Sequence, residues 1–232
     1  MKDIFFDLDH TLWDFAKNSR EALTEGYSEL ELNNLGVGTL NEYIISYESA
    51  NNWCWGEYRD GRMDKEELRG RRFSMALEPW KIDDAVEIGE KLGEHYISTS
   101  PFKTHLFDGA IEVLKELMNR GHRMFILTNG FEEVQHLKVE RSGLSSYFQR
   151  VLTSDALGYK KPNPKIFDCA LQMTKARAEN TVMIGDNLEA DVVGAREVGW
   201  SQIYFNPDSI PHSEKVTHEI KRLTEILDID LH

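Results

Sequence analysis

Asp7 and Asp9 flank Leu8 at the end of an apolar run, in the stretch FFDLDHTLWDF at residues 5–15, and Thr11 follows two residues later. On an extended chain, side chains two apart point to the same side and are separated by about 6.6 Å along the strand. Both acids can therefore face one pocket while Leu8 faces the core. Two carboxylates so placed repel each other, and the arrangement needs something to offset that repulsion. Taken alone, such a pair also has ordinary uses as turn acids or a helix cap.

Three later segments bear on the choice. FILTNG at 125–130 ends an apolar run in Thr128 and Asn129, a hydroxyl and an amide. GYKKPNPKIF at 158–167 sets Lys161 directly before a proline, in a stretch that leads into a helix. VMIGDNLEADVVGA at 182–195 ends an apolar run in Gly185, Asp186 and Asn187, with Asp191 expected to open the next helix. Singly, each reads as a turn, a solvated charge or a helix cap.

The elements that must position these residues are legible from periodicity. Strands are expected at 4–8, 124–128, 151–153 and 182–184, with a fifth at 202–205. The first, second and fourth are nearly continuous apolar runs, as in strands buried on both faces of a parallel sheet. Helical patterns alternate with them. Asp108 is expected to cap a helix whose inward face carries Ile111, Leu114, Leu117 and Met118, stopped by Gly121. Pro164 is expected to start a second helix, with Phe167, Ala170 and Leu171 inward, and the helix opened by Asp191 to end near Gly199. This is the signature of an α/β fold with a doubly wound, Rossmann-like parallel sheet. The stretch between the first strand and Asp108 contains helical patterns only, near 19–32, 40–58, 64–77 and 82–97, with Asp64 and Glu67 suited to a capping box and a turn at 60–62. It is expected to form an inserted all-helical cap, giving a core of residues 1–14 and 103–232 and a cap of residues 15–102.

In that fold, Asp7, Thr128 and Asp186 fall at the carboxyl ends of parallel strands, and Lys161 follows the third strand. That edge is where open α/β sheets bind ligands. Clustered carboxylates suit a hard cation such as Mg²⁺, which takes a few acids together with water and substrate phosphate. A bound cation would offset the repulsion between the acids.

The four segments, in this order, resemble those of the haloacid dehalogenase superfamily, specifically its Mg²⁺-dependent phosphatases, and the helical insert resembles the cap of that family. The resemblance implies that Asp7 is the nucleophile and Asp9 the general acid and base. It implies that Thr128 and Asn129 bind the transferring phosphoryl group and that Lys161 balances its charge. Mg²⁺ would be held by Asp7, Asp186 and the main-chain carbonyl of Asp9, with Asp191 orienting the lysine or a metal-bound water. Elementary chemistry agrees: a carboxylate can carry the phosphoryl group as an aspartyl-phosphate, and a second carboxyl must serve the leaving alkoxide and then the water. The dehalogenase branch does not use the second aspartate, so Asp9 argues for phosphate esters.

NNWCWGEYRDGRMDKEELRGRRF at 51–73 is similar to the cap of the pyrimidine 5′-nucleotidases, at Trp53, the Asp60–Gly61 turn, Leu68, Arg72 and Phe73. This implies a nucleoside monophosphate as partner, with Trp53 and Arg72 as substrate residues of the cap. On physical grounds alone, Trp53 and Trp55 are expected to pack inward, and Arg71 and Arg72 to be solvated helix charges. A sugar-phosphate phosphatase or a phosphoglucomutase-like phosphotransferase would use the same core residues. A receiver that stores phospho-aspartate as a signal fits less well, because a resident base at Asp9 would shorten the signal.

Composition narrows the field further. The chain has 232 residues and a net charge of −13, which argues against a nucleic-acid polymer as partner. Cys54 and Cys169 are too few for a disulfide framework and lack metal-ligand spacing. No apolar run is long enough to span a membrane, and a cytoplasmic location is expected.

Overall fold

β1 (Asp3–Phe6) runs through the centre of the sheet, and its neighbours explain its sequence. It pairs in parallel with β2 on one side and β4 on the other. Both of its edges are thus paired, apolar layers lie against its two faces, and every residue of it is buried. The computed structural model describes residues 1–231.

Along the chain, β1 is followed by α1 (Phe15–Glu29), α2 (Leu40–Arg59), α3 (Lys65–Leu77) and α4 (Ala85–Thr99). α5 (Ala110–Asn119) then leads into β2 (Arg123–Thr128), α6 (Glu132–Arg141), β3 (Arg150–Thr153), α7 (Ser154–Leu157) and α8 (Pro164–Thr174). β4 (Thr181–Gly185), α9 (Gly194–Glu197), β5 (Ser201–Phe205) and β6 (His218–Ile220) complete the order. The six strands form one parallel sheet in the order β3-β2-β1-β4-β5-β6. The chain divides into two compact units, one of residues 1–15 and 104 onward, the other of residues 16–103.

The two faces of the sheet carry separate apolar layers. Ile4 and Phe6 point to a layer with Ala110, Val113, Leu114 and Leu117 of α5. Phe5, between them, points to the opposite layer with Ile166, Phe167 and Ala170 of α8. Phe5 stacks on Phe125 at 4.8 Å between ring centroids and lies at the same distance from Trp200. Burying each such side chain contributes about 1.5–3 kcal/mol, so the strand is anchored from both sides.

Several local expectations are corrected. The helix after residue 108 is capped by Gly109 at φ 80°, not by Asp108. Its buried stripe is Ala110, Val113, Leu114 and Leu117, which rotates Met118 to the surface. Asp191 does not open a helix. Asn187 does, its side chain accepting from the Ala190 N–H, and Asp191 sits buried inside a π-helical turn at Leu188–Val193. β6 was not expected, being three residues long with two of them exposed.

In the helical unit, Asp64 caps α3 by accepting from the Glu67 N–H at 2.8 Å. The reciprocal capping box is at α2, where Thr39 Oγ1 accepts from the Glu42 N–H and Glu42 Oε2 accepts from the Thr39 N–H. The core of this unit is built on Tyr43, Tyr47, Phe73, Leu77, Leu92 and Tyr96. Trp53 is 46% exposed rather than packed inward, with the Arg71 guanidinium 5.8 Å from its ring. Arg72 is not a solvated charge: it is 5% exposed. It shares the inward face of α3 with Leu68, Phe73 and Ala76. Its guanidinium lies 5.0 Å from the rings of both Phe73 and Tyr96 and donates to Asn51 Oδ1 at 3.0 Å. A flat, weakly hydrated cation tolerates such aromatic surroundings where an ammonium would not.

Candidate active site

β1, β2 and β4 end side by side in the middle of the sheet, so the residues just past them share one edge. Asp7 continues the ladder by donating its N–H to the Ile184 carbonyl at 2.8 Å, which fixes its position one step beyond β1. The chain then turns sharply. The Leu8 carbonyl accepts from the N–H groups of Leu12 and Trp13, and His10 takes a left-handed φ of 63°. Leu8 enters the core as expected.

Lys161 is the hub. Its ammonium, wholly buried, donates to Asp7 Oδ1 at 2.7 Å, Asp191 Oδ1 at 2.6 Å and the Leu127 carbonyl at 2.6 Å. An ammonium has three protons, and each has an acceptor here. The backbone of Lys161 is held in turn by Asn129, whose amide Nδ2 donates to the Lys161 carbonyl at 2.9 Å while Oδ1 accepts from its N–H at 2.8 Å. The side chain of Asn129 is therefore committed to positioning the lysine loop. Thr128 is buried at the end of β2, with its Oγ1 accepting from the Gly130 N–H at 3.2 Å.

Asp186 accepts from the Thr11 hydroxyl at 3.0 Å. Asp191 has both oxygens engaged, Oδ1 by Lys161 and Oδ2 by the Asn187 N–H at 3.0 Å. A Cβ on Gly185 would lie 2.2 Å from Asp191 Oδ2, so this position admits no side chain while the acid is there. Carboxylate oxygens of Asp7, Asp186 and Asp191 lie within 4.8 Å of one another.

The electrostatics follow from crowding. Burial, with the charges of Asp191 and Asp9, pushes the Asp7 carboxyl up to about 7 against the opposing pull of Lys161. Burial and the charges of Asp7 and Asp191 likewise hold Asp186 well above the usual carboxylate range. Burial alone would lower Lys161, but Asp191 and Asp7 more than offset it and raise the ammonium above its ordinary value. One lysine does not neutralise the buried Asp7 and Asp191 together with the half-buried Asp186. Oxygen donors with an unmet need for positive charge fit a hard divalent cation such as Mg²⁺. Among the described residues, Asp7 Oδ2 and Asp186 Oδ2 accept no hydrogen bond, so these two acids are the ones with an oxygen to offer.

Asp9 goes elsewhere. Its Oδ2 accepts from Gln135 Nε2 at 2.8 Å and its Oδ1 from Lys138 Nζ at 2.5 Å, both on α6. Neither partner is conspicuous in the sequence. Polar residues three apart on a charged helix read as a solvated face, and only their burial shows otherwise. Thr11, quoted for its place in the first motif, acquires a defined partner in Asp186. The expected cap residues Trp53 and Arg72 lie in the helical unit, Trp53 exposed and Arg72 buried.

Comparison with known proteins agrees with the geometry. The model of the haloacid dehalogenase-like hydrolase family matches residues 1–199. The pyrimidine 5′-nucleotidase YjjG of Escherichia coli is 31% identical, over 95% of this chain and 96% of its own. The ribulose-1,5-bisphosphate 5-phosphatase of Halopiger xanaduensis is 35% identical, over 97% of this chain and 98% of its own. The solved structure of the HAD-hydrolase YfnB from Bacillus subtilis bound to magnesium superposes with a TM-score of 0.87 at 26% identity, covering 98% of this chain and 97% of that one.

Proposed function

The chain belongs to the haloacid dehalogenase-like hydrolase family, and we propose that it is a Mg²⁺-dependent phosphatase whose substrates are pyrimidine 5′-mononucleotides, deoxy forms included. The observation that carries the phosphatase reading is the pairing of two differently held acids. Asp7 is fixed by Lys161 with one oxygen unengaged, whereas Asp9 is held by α6. The first suits attack on phosphorus and the second suits proton transfer.

In this reading Asp7 attacks the phosphoryl group in line and becomes an aspartyl-phosphate while the ester bond to the leaving group breaks. Asp9 gives the departing alkoxide its proton, then takes one from the water that hydrolyses the acyl phosphate. Thr128 and the main chain at Asn129 hold the phosphoryl oxygens. Lys161 keeps Asp7 ionised and aligned. Mg²⁺, bound by Asp7, Asp186 and the Asp9 carbonyl, would supply charge neutralisation to the phosphoryl oxygens. Asp191 acts through Lys161.

The substrate reading is supported by the similarity to a pyrimidine 5′-nucleotidase over nearly the whole chain, and it keeps Trp53 and Arg72 as candidate substrate residues of the helical unit. Arg72 is a buried cation whose Nε has no hydrogen-bond partner among the described residues, which suits a group that meets substrate. A sugar-phosphate phosphatase is the second reading, supported by the likeness to a ribulose bisphosphate phosphatase. Comparing kcat/KM for dTMP, UMP, AMP, glucose 6-phosphate and ribulose 1,5-bisphosphate, by release of inorganic phosphate, separates them. A pyrimidine nucleotide should lead the two sugar phosphates by about tenfold or more, the range that one stacked base supplies. A sugar phosphate that equals the best nucleotide removes the nucleotidase reading. Isomerised sugar phosphate without phosphate release would make the protein a mutase.

A further inference from the structure

α6 brings two polar side chains out of solvent beside Asp9. Gln135 is 1% exposed and Lys138 is 3% exposed. Burying an amide and an ammonium costs more than burying an apolar residue of the same size unless each is fully partnered. The amide of Gln135 is not: its Oε1 is buried without a hydrogen-bond partner among the described residues. The amide is oriented by its other end, since a carboxylate only accepts and Nε2 must face Asp9.

The surroundings are shaped to keep this arrangement. A Cβ on Gly130 would lie 1.7 Å from Gln135 Nε2 and 2.5 Å from its Cδ, so the glycine of the second motif is the space through which the amide passes. The Lys138 ammonium lies 3.9 Å from the centroid of the Trp13 ring and 5.5 Å from that of Phe15, attractive positions for a cation that also fix its direction. Trp13 is itself tied to the Asp9 loop, its carbonyl accepting from the His10 N–H at 3.0 Å. Two donors on one helix face thus grip both oxygens of one carboxylate.

We propose that Gln135 and Lys138 are positioning residues for Asp9: together they hold its carboxylate in the one orientation from which it serves the leaving group. This rests on the reading of Asp9 as general acid and base given above. Three residues apart on a helix, the two side chains leave the same face, so both donors reach Asp9 from one element. Neither residue exchanges a proton or touches phosphorus in this account.

The test uses leaving groups. Nitrophenolate departs without a proton and an alkoxide does not, so kcat/KM for a nitrophenyl phosphate and an alkyl phosphate separate the need for Asp9. Lys138→Met and Gln135→Met should each lower kcat/KM for the alkyl ester about tenfold to a hundredfold, the scale of a misplaced catalytic group. The nitrophenyl ester should lose less than about threefold. Lys138→Arg, which keeps a donor on the carboxylate, should recover part of the loss. In the Asp9→Asn background, Lys138→Met should add no further loss beyond about twofold, because what it positions is gone. Equal losses on the two esters, or losses that multiply in the double variant, would overturn the proposal. The two layers fail differently. If Asp9→Asn itself affects both esters equally, the general-acid reading fails and takes this inference with it. If Asp9→Asn discriminates between them and the α6 variants do not, only the inference fails.

Discussion

At Asp7 the charge arrangement and the chemistry cannot be separated. Lys161 holds one oxygen and leaves the other, which in the proposed mechanism attacks phosphorus, and the same contact supports the ionised form against burial. Asp7→Asn keeps the shape and the acceptor for Lys161 but abolishes the nucleophile. Turnover should fall by at least about a thousandfold, as for members of a unit that act together, with the far-UV dichroism unchanged. Activity above about a hundredth of the parent's would remove Asp7 from its role. The sequence makes Asp7, Thr128 and Asp186 conspicuous because each stands where an apolar run stops, and Lys161 because a proline and a helix start follow it. Gln135 and Lys138 have no such flag: their types signal solvent, and the decision to bury them is made by contacts with residues more than a hundred positions away. Arg72 misleads for the same reason, since its aromatic neighbours come from α2, α3 and α4.

At the level of elements, the parallel sheet was legible because β1, β2 and β4 are apolar throughout, and each helix start was only as legible as its cap is local. Asn163 and Pro164 start α8 through contacts within the segment. Asp191 reads as a cap from its type, but its side chain is drawn inward by Lys161, and the opening falls to Asn187. β6 is too short and too polar to announce itself and exists because β5 offers it an edge. In the helical unit, the Thr39–Glu42 box satisfies two N–H groups at the start of α2. Thr39→Ala should cost about 1 kcal/mol, read as a lower urea midpoint with an unchanged slope. No change in midpoint would show that this helix end contributes nothing to the unit's stability.

For the whole molecule, the excess of buried negative charge at the site links folding to pH and to metal. Asp7 has an ordinary value of 3.8 and is raised to about 7 in the folded protein. Between these values the folded state keeps a proton that the unfolded chain releases. The contribution of Asp7 to stability is therefore fully present below 3.8 and is lost as pH rises through about 7. In the proposed function a divalent cation would reverse that loss by binding the ionised acid. Mg²⁺ at one fixed concentration, about a hundred times its dissociation constant at pH 8, should stabilise by about 2.7 kcal/mol at that pH. For a chain of this size that is a rise in Tm of about 5–10 °C. The rise should be clearly larger near pH 8 than near pH 5.5, where a proton competes for the same oxygen. Equal rises at both pH values would show that the metal does not bind through Asp7.

The central claim, that Asp7 carries the phosphoryl group, is tested most directly by trapping. Enzyme mixed with Mg²⁺ and dTMP or nitrophenyl phosphate is quenched in acid during turnover and reduced with borohydride, which converts an aspartyl-phosphate to homoserine. Peptide mass mapping then locates the change. Homoserine should appear at residue 7, only when both substrate and Mg²⁺ are present. Rapid phosphate release with residue 7 still aspartate in every quenched sample, or with the modification at another residue, would contradict the account.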